Sequence, residues 1–95
     1  MSHYFVYILA SKRNGTLYVG STSNLIQRIY QHNHEFVVGF TSKYHLHMLV
    51  YYEECVNSTI MVMRERQLKK WNREWKIRLI EEKNPEWIDL YPTIV

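Results

Sequence analysis

The sequence predicts an α/β domain, more narrowly α+β: a three-stranded antiparallel sheet with its first strand in the middle and helices on both sides. Three observations lead there. Residues 4–10, YFVYILA, are aromatic and branched with no Gly or Pro. They are apolar on both faces, with Phe5, Tyr7 and Leu9 on one and Val6, Ile8 and Ala10 on the other, as a strand buried from both sides requires. Residues 12–15 are polar and end in the turn pair Asn14-Gly15, after which residues 16–20 resume a strand pattern, so the first two runs form a hairpin. A third apolar run, LHMLVYY at 46–52, lies between segments of helical character and supplies the third strand.

Length and composition agree with one domain. The 95 residues suffice for a single core without a disulfide or structural metal and are too few for two, so one domain is placed over 1–95. A chain that is 46% hydrophobic and 22% charged is ordinary for a globular protein, which excludes a disordered one. No apolar run reaches the length of a membrane-spanning helix, and the N-terminus lacks the features of a signal peptide, so a cytoplasmic protein without membrane attachment is expected. The lone Cys55 has no partner for an internal disulfide and is expected to be a small buried residue. Eight of the twelve Lys and Arg residues fall within 64–83, against four acids. That span is either a phosphate-facing surface or a solvated helix face.

The hairpin loop decides what its tyrosines can do together. Any even-length loop pairs odd positions with even ones and puts Tyr7 and Tyr18 on one face. A two-residue Asn14-Gly15 turn would set Tyr18 opposite Ser11, roughly 13 Å along the strand from Tyr7, whereas a four-residue loop would leave the two phenols two positions apart. If they act as a pair, the longer loop is required.

The polar run 21–24 offers helix-capping side chains, and a helix starts near Asn24 and continues to His34. Leu25, Arg28, Ile29 and His32 recur at helical spacing, which places a guanidinium and an imidazole on or beside the packed stripe. Arg28 either runs its stem along the core edge with its charge in water or serves an inward function. Residues 35–43 read as a loop or short irregular helix, and Glu53 and Glu54 are expected to end the third strand.

A long helix from Asn57-Ser58 to about Trp71 carries Met61 and Leu68 on one stripe with Glu65 between them. A carboxylate there calls for a cation: Arg28 as a structural partner, or a divalent ion. A further helix spans about Arg73 to Glu82 and is stopped by Asn84-Pro85. Trp71, Trp75 and Trp87 are expected to cover the sheet. The His-x-His pairs at 32 and 34 and at 45 and 47 come without cysteines and do not read as a zinc site.

Val6-Tyr7-Ile8 followed by Tyr18-Val19-Gly20 resembles the paired signature of the GIY-YIG nuclease superfamily, with Phe5 where the signature's first Gly stands and Val19 in place of an Ile. Arg28 and, one turn later, His32 fit residue by residue, and Glu65 follows on the helix after the third strand. The set Tyr7, Tyr18, Arg28, His32 and Glu65 thus keeps the chain order of that superfamily's constellation. Tyr-Val-Gly-Ser-Thr at 18–22, Gly-Phe-Thr-x-Lys-Tyr at 39–44, Glu-x-Gln-Leu-Lys-x-Trp at 65–71 and Asn-Pro-x-Trp-x-Asp-Leu at 84–90 look most like its small stand-alone bacterial members, the UPF0213-like proteins. A late Asn also belongs to the set. Asn84 is the candidate, with Asn72 left open by spacing, and Ser21 stands where the repair members carry a Lys.

The resemblance implies a metal-dependent endonuclease that hydrolyses DNA phosphodiester bonds, in repair or recombination, with one Mg2+ (or Mn2+) ion. Magnesium accepts as little as one protein carboxylate, so Glu65 is a sufficient metal ligand. A tyrosine with an ordinary pKa near 10 is a poor base at neutral pH, so Tyr18 as base or base relay needs a nearby cation. Tyr7 would be its hydrogen-bonding and water-positioning partner, Arg28 the phosphate clamp, and His32 a proton shuttle or second phosphate contact. Lys69, Lys70 and Lys76 are the candidates for holding the DNA backbone. The alternative is a nucleic-acid-binding module of the same fold with little intrinsic catalysis. Because the catalytic fold uses the whole chain, specificity is expected to come from a protein partner or a homodimer.

Overall fold

In the computed structural model, which describes residues 3–34, 39 and 43–95, strand β1 (Tyr4–Ala10) is the middle of a three-stranded sheet. Strands β2 (Leu17–Thr22) and β3 (Met48–Cys55) run antiparallel on either side of it. Its place follows from its composition, since Val6 through Ala10 are all buried and need cover on both faces.

Four residues, 12–15, join β1 to β2. The Ser11 N–H donates to Thr16 O at 3.1 Å, and within the loop the Gly15 N–H donates to Lys12 O at 2.9 Å. Asn14 takes the left-handed conformation there, with φ of 57°. The register therefore sets Tyr7 opposite Gly20 and Tyr18 opposite Leu9, the arrangement that brings the phenols within two positions of each other. Arg73, far along the chain, donates from Nη2 to Asn14 O and Gly15 O at 2.6 and 2.7 Å and fastens this turn to the helical layer.

Strand β3 differs from expectation at both ends. It starts at Met48 and runs through Glu53 and Glu54 to Cys55, pairing the two acids with Val6 and Phe5 instead of ending at them. Glu53 is accommodated because Tyr51 Oη and Arg64 Nε donate to it at 2.6 and 2.9 Å. A register shift opposite Ile8 and Leu9 inserts an extra residue, so Val50 and Tyr51 both enter the same core. The bulge accounts for the weak alternation of 46–52.

Helix α1 (Leu25–Asn33) and a short α4 (Tyr91–Ile94) lie over the face that carries Tyr7 and Leu9, where Leu25, Ile29, Leu46 and Leu49 complete the core. Helices α2 (Ser58–Lys70) and α3 (Arg73–Lys83) cover the other face, packing Leu68, Ile80 and Trp87 against Val6, Ile8 and Ala10. Each long helix begins at an Asn whose side chain accepts a first-turn N–H: Asn24 from Gln27, Asn57 from Ile60 and Asn72 from Trp75. Trp87 is buried and Trp71 packs partly buried beside it, but Trp75 is half exposed, so two of the three tryptophans cover the sheet.

Helix α4 has no strong signal in the sequence. It is tied down by Asp89, whose Oδ1 accepts from the N–H groups of Leu49 and Tyr91 at 3.1 and 3.0 Å. Cys55 is buried. The expectation for 35–43 falls largely outside the described residues. No helix among the described residues is long and apolar enough to cross a membrane.

Candidate active site

The site is built around a missing side chain. Tyr7 lies opposite Gly20, and a Cβ placed on Gly20 would stand 2.5 Å from Tyr7 Oη and 2.9 Å from Tyr18 Cε2. Only a hydrogen atom there lets both rings share the space, with centroids 6.4 Å apart. Tyr7 is almost wholly buried and Tyr18 only partly, so the pair presents one sheltered phenol and one less sheltered.

Helix α1 delivers the next two groups. Asn24 fixes its start, and the i, i+4 spacing then aligns Arg28 and His32 on one side. His32 is 3% exposed, its Nε2 is 3.0 Å from Tyr7 Oη, and its ring centroid is 5.8 Å from that of Tyr18. Burial, reinforced by the Arg28 guanidinium and by His47, lowers its pKa to about 4, so the imidazole is neutral near pH 7. Burial and the neighbouring Tyr18 push the Tyr7 phenol far above the ordinary tyrosine range, with Arg28 opposing and Glu65 adding to the rise. Tyr7 therefore keeps its proton. Arg28 is half-buried and its side chain makes no hydrogen bond or ion pair among the described residues, so its guanidinium is available to an anion.

Glu65 reaches the site from the other side of the sheet. Ser21 follows Gly20 and pairs with Val6, so its side chain lies on the face covered by α2, and its hydroxyl donates to Glu65 Oε1. Lys69, one helical turn on, holds Oε2 at 2.7 Å. Burial raises the carboxyl pKa, but the hydrogen bonds from Lys69 and Ser21, with Arg66 nearby, bring it below the ordinary glutamate value. The structural pair of Arg28 with Glu65, one of the two alternatives the sequence offered, is not formed; Lys69 is the partner. Tyr7, Tyr18 and His32 stand together on one face of the hairpin, with Arg28 close enough to Tyr7 and His32 to act on both, and Glu65 comes to Ser21 of edge strand β2 from the other face, near enough to act on Tyr7.

Asn84 lies elsewhere. Its Nδ2 donates to Val50 O and Ile88 O at 3.0 and 2.9 Å and its Oδ1 accepts from the Ile88 N–H at 3.0 Å, so the amide is consumed in joining the end of α3 to β3, on the opposite side of β1 from β2. Asn72 caps α3. Neither is hydrogen-bonded to the tyrosine group. Of the lysines, Lys70 is exposed and Lys69 is engaged with Glu65. Lys76 is half-buried beside Thr16, Leu17 and Arg73, where burial and then Arg73 hold its pKa below the usual value. A cleft lined by Phe5, Leu25, Tyr52 and Ile94 contains none of these residues.

Sequence reasoning missed the parts played by Ser21 and Lys69. The i, i+4 spacing of Glu65 and Lys69 was a readable signal for the second, whereas the first depends on the hairpin register. Among the described residues no three His, Cys, Asp or Glu side chains gather. One carboxylate beside a hydroxyl fits a hard ion that retains most of its waters, such as Mg2+ or Mn2+.

With this geometry in place, residues 3–78 match the GIY-YIG catalytic domain, and the chain belongs to that family. The superfamily is one of nucleases acting on DNA, and its members generally use a divalent metal. Within it the similar proteins are UPF0213 proteins. One from Bacillus licheniformis is 40% identical over 95 aligned residues, covering 96% of this chain and 92% of its own. One from Staphylococcus haemolyticus is 34% identical over 83, covering 87% and 100%. The solution NMR structure of a UPF0213 protein from Bacillus halodurans shares the fold, with a TM-score of 0.54 at 20% identity, over 97% of this chain and 94% of that one.

Proposed function

We propose that this protein is a metal-dependent endonuclease that hydrolyses DNA phosphodiester bonds, with one Mg2+ or Mn2+ ion held at Glu65, and that it serves DNA repair or recombination. The observation that carries this reading is the edge of β2. A partly buried phenol, a protonated phenol and an uncommitted guanidinium approach it from one face, and a carboxylate oriented by Ser21 approaches it from the other.

In this scheme Arg28 binds the scissile phosphate and draws off charge as it builds on the phosphoryl oxygens. Tyr18 accepts the proton of the attacking water directly or through a relay. Tyr7 stays protonated and positions that water, and neutral His32 holds the Tyr7 hydroxyl in place rather than contacting phosphate as an imidazolium. Glu65 would hold the divalent ion, which when bound polarises the phosphate and favours departure of the leaving oxygen. Asn84 takes no step here. Lys70 and Lys76 are proposed to contact the DNA backbone, while Arg64 and Arg73 of the same basic span are tied up internally.

A second reading is favoured by one observation: both Glu65 oxygens are already engaged within the chain, as suits a DNA-binding module of this fold with little intrinsic rate. A panel of duplex, nicked, branched and single-stranded DNA, incubated with Mg2+ or Mn2+ and then with chelator, separates the two. Cleavage of at least one substrate that stops on chelation is the expected result. Binding without cleavage of any would support the second reading.

A further inference from the structure

The engagement of Glu65 by its own helix has a use at the site. We propose that Lys69 is a resident counter-cation of Glu65: its ammonium neutralises the carboxylate in the protein alone, yields that oxygen to a divalent ion, and then passes to the phosphate of the bound strand. The inference rests on the assignment of Glu65 as metal ligand.

The two carboxylate oxygens are held differently. Oε1 receives the hydroxyl of Ser21, a short side chain fixed on a strand, whereas Oε2 receives Lys69, which lies at the end of a long flexible stem and is 52% exposed. The first contact sets the orientation of the carboxylate and the second can leave it. The lysine end of this i, i+4 ion pair is 52% exposed although the Glu65 side chain is only 21% exposed, so water can take over the ammonium and a divalent cation competing for one oxygen faces a modest obstacle. Two cations on one oxygen repel, so in the protein alone the ion and the ammonium exclude each other. A DNA phosphate adds negative charge beside the same edge and gives the released ammonium a new partner within reach of its stem. A lysine so placed weakens metal binding in the absence of substrate and strengthens the site in its presence.

Manganese titration of the full chain without DNA, followed by electron paramagnetic resonance of free Mn2+, tests the exchange, with folding of each variant checked by circular dichroism. Lys69→Met should tighten Mn2+ binding by roughly threefold or more, since the competing pair is gone. At saturating Mn2+ the same variant should cleave DNA at least tenfold more slowly, with Lys69→Arg recovering much of the rate. Mn2+ affinity unchanged or weakened in Lys69→Met, or cleavage at the parent rate at saturating ion, would overturn the proposal and leave an ordinary helix-surface ion pair. Glu65→Gln is the separate control. If it binds Mn2+ as the parent does, the assignment of Glu65 as ligand fails, and this proposal with it. If it loses binding while Lys69→Met is unaltered, only the exchange fails.

Discussion

A hydrogen atom at Gly20 is what allows two phenols and an imidazole to occupy one small volume at the edge of β2. Any larger side chain must displace the Tyr7 ring, which is buried and hydrogen-bonded to His32 and has no open space to enter. Gly20→Ala should cost about 1–3 kcal/mol of stability by chemical denaturation and reduce cleavage more than tenfold, because Tyr7 and Tyr18 lose their common setting. His32 carries a pH dependence that follows from its own burial. Its folded pKa of about 4 lies below the ordinary 6.5, so between those values the unfolded chain takes up a proton that the folded one refuses. The stability gained from the neutral ring is full above pH 6.5 and lost as pH falls towards 4. Denaturant unfolding at pH 7 and pH 5 should show a loss of about 2 kcal/mol from this source, absent in His32→Gln.

At the scale of elements, the starts of the three long helices were legible because each is marked by an Asn cap, and β1 was legible because it is apolar on both faces. The hairpin register was not, since Asn14-Gly15 suits both a two-residue and a four-residue loop, and only the Ser11 to Thr16 hydrogen bond distinguishes them. The end of β3 was misread because two consecutive acids look like a strand terminus until Tyr51 and Arg64 are seen to receive one of them. Asn84 shows the same difficulty for the site. A polar residue before Pro resembles a functional group, but three backbone hydrogen bonds make it the joint between α3 and β3. Asn84→Ala should therefore cost about 2–3 kcal/mol by leaving buried backbone groups unpaired, while cleavage per folded molecule stays at the parent rate. A loss of cleavage at a temperature where the variant is fully folded would return Asn84 to the reaction.

On the scale of the whole molecule, the sheet brings together residues far apart in sequence, and it does so from two layers. Residues 7, 18, 28 and 32 lie in the first third of the chain and their shared face followed from hairpin parity and helical spacing, whereas the approach of Glu65 from the opposite layer depends on how α2 packs and had no local signal. Net charge is +3, and the basic span 64–83 is partly spent on internal bonds, so affinity for DNA should rest on lysines of the span that form no such bond. Reversal of Lys70 or Lys76 to Glu should weaken binding across sequences and flatten the dependence of log K on log salt, each by about one phosphate contact. A salt-insensitive affinity would count against that surface.

If the carboxylate held by Ser21 serves metal-dependent cleavage at the edge of β2, single-turnover cleavage by Glu65→Gln at matched Mg2+ should reveal it. Glutamine retains the size of the side chain and can still accept from Ser21, so the fold and the DNA affinity should persist, with an unchanged circular dichroism spectrum, while cleavage falls at least a hundredfold. A folded Glu65→Gln protein that cuts DNA at the parent rate would contradict the account.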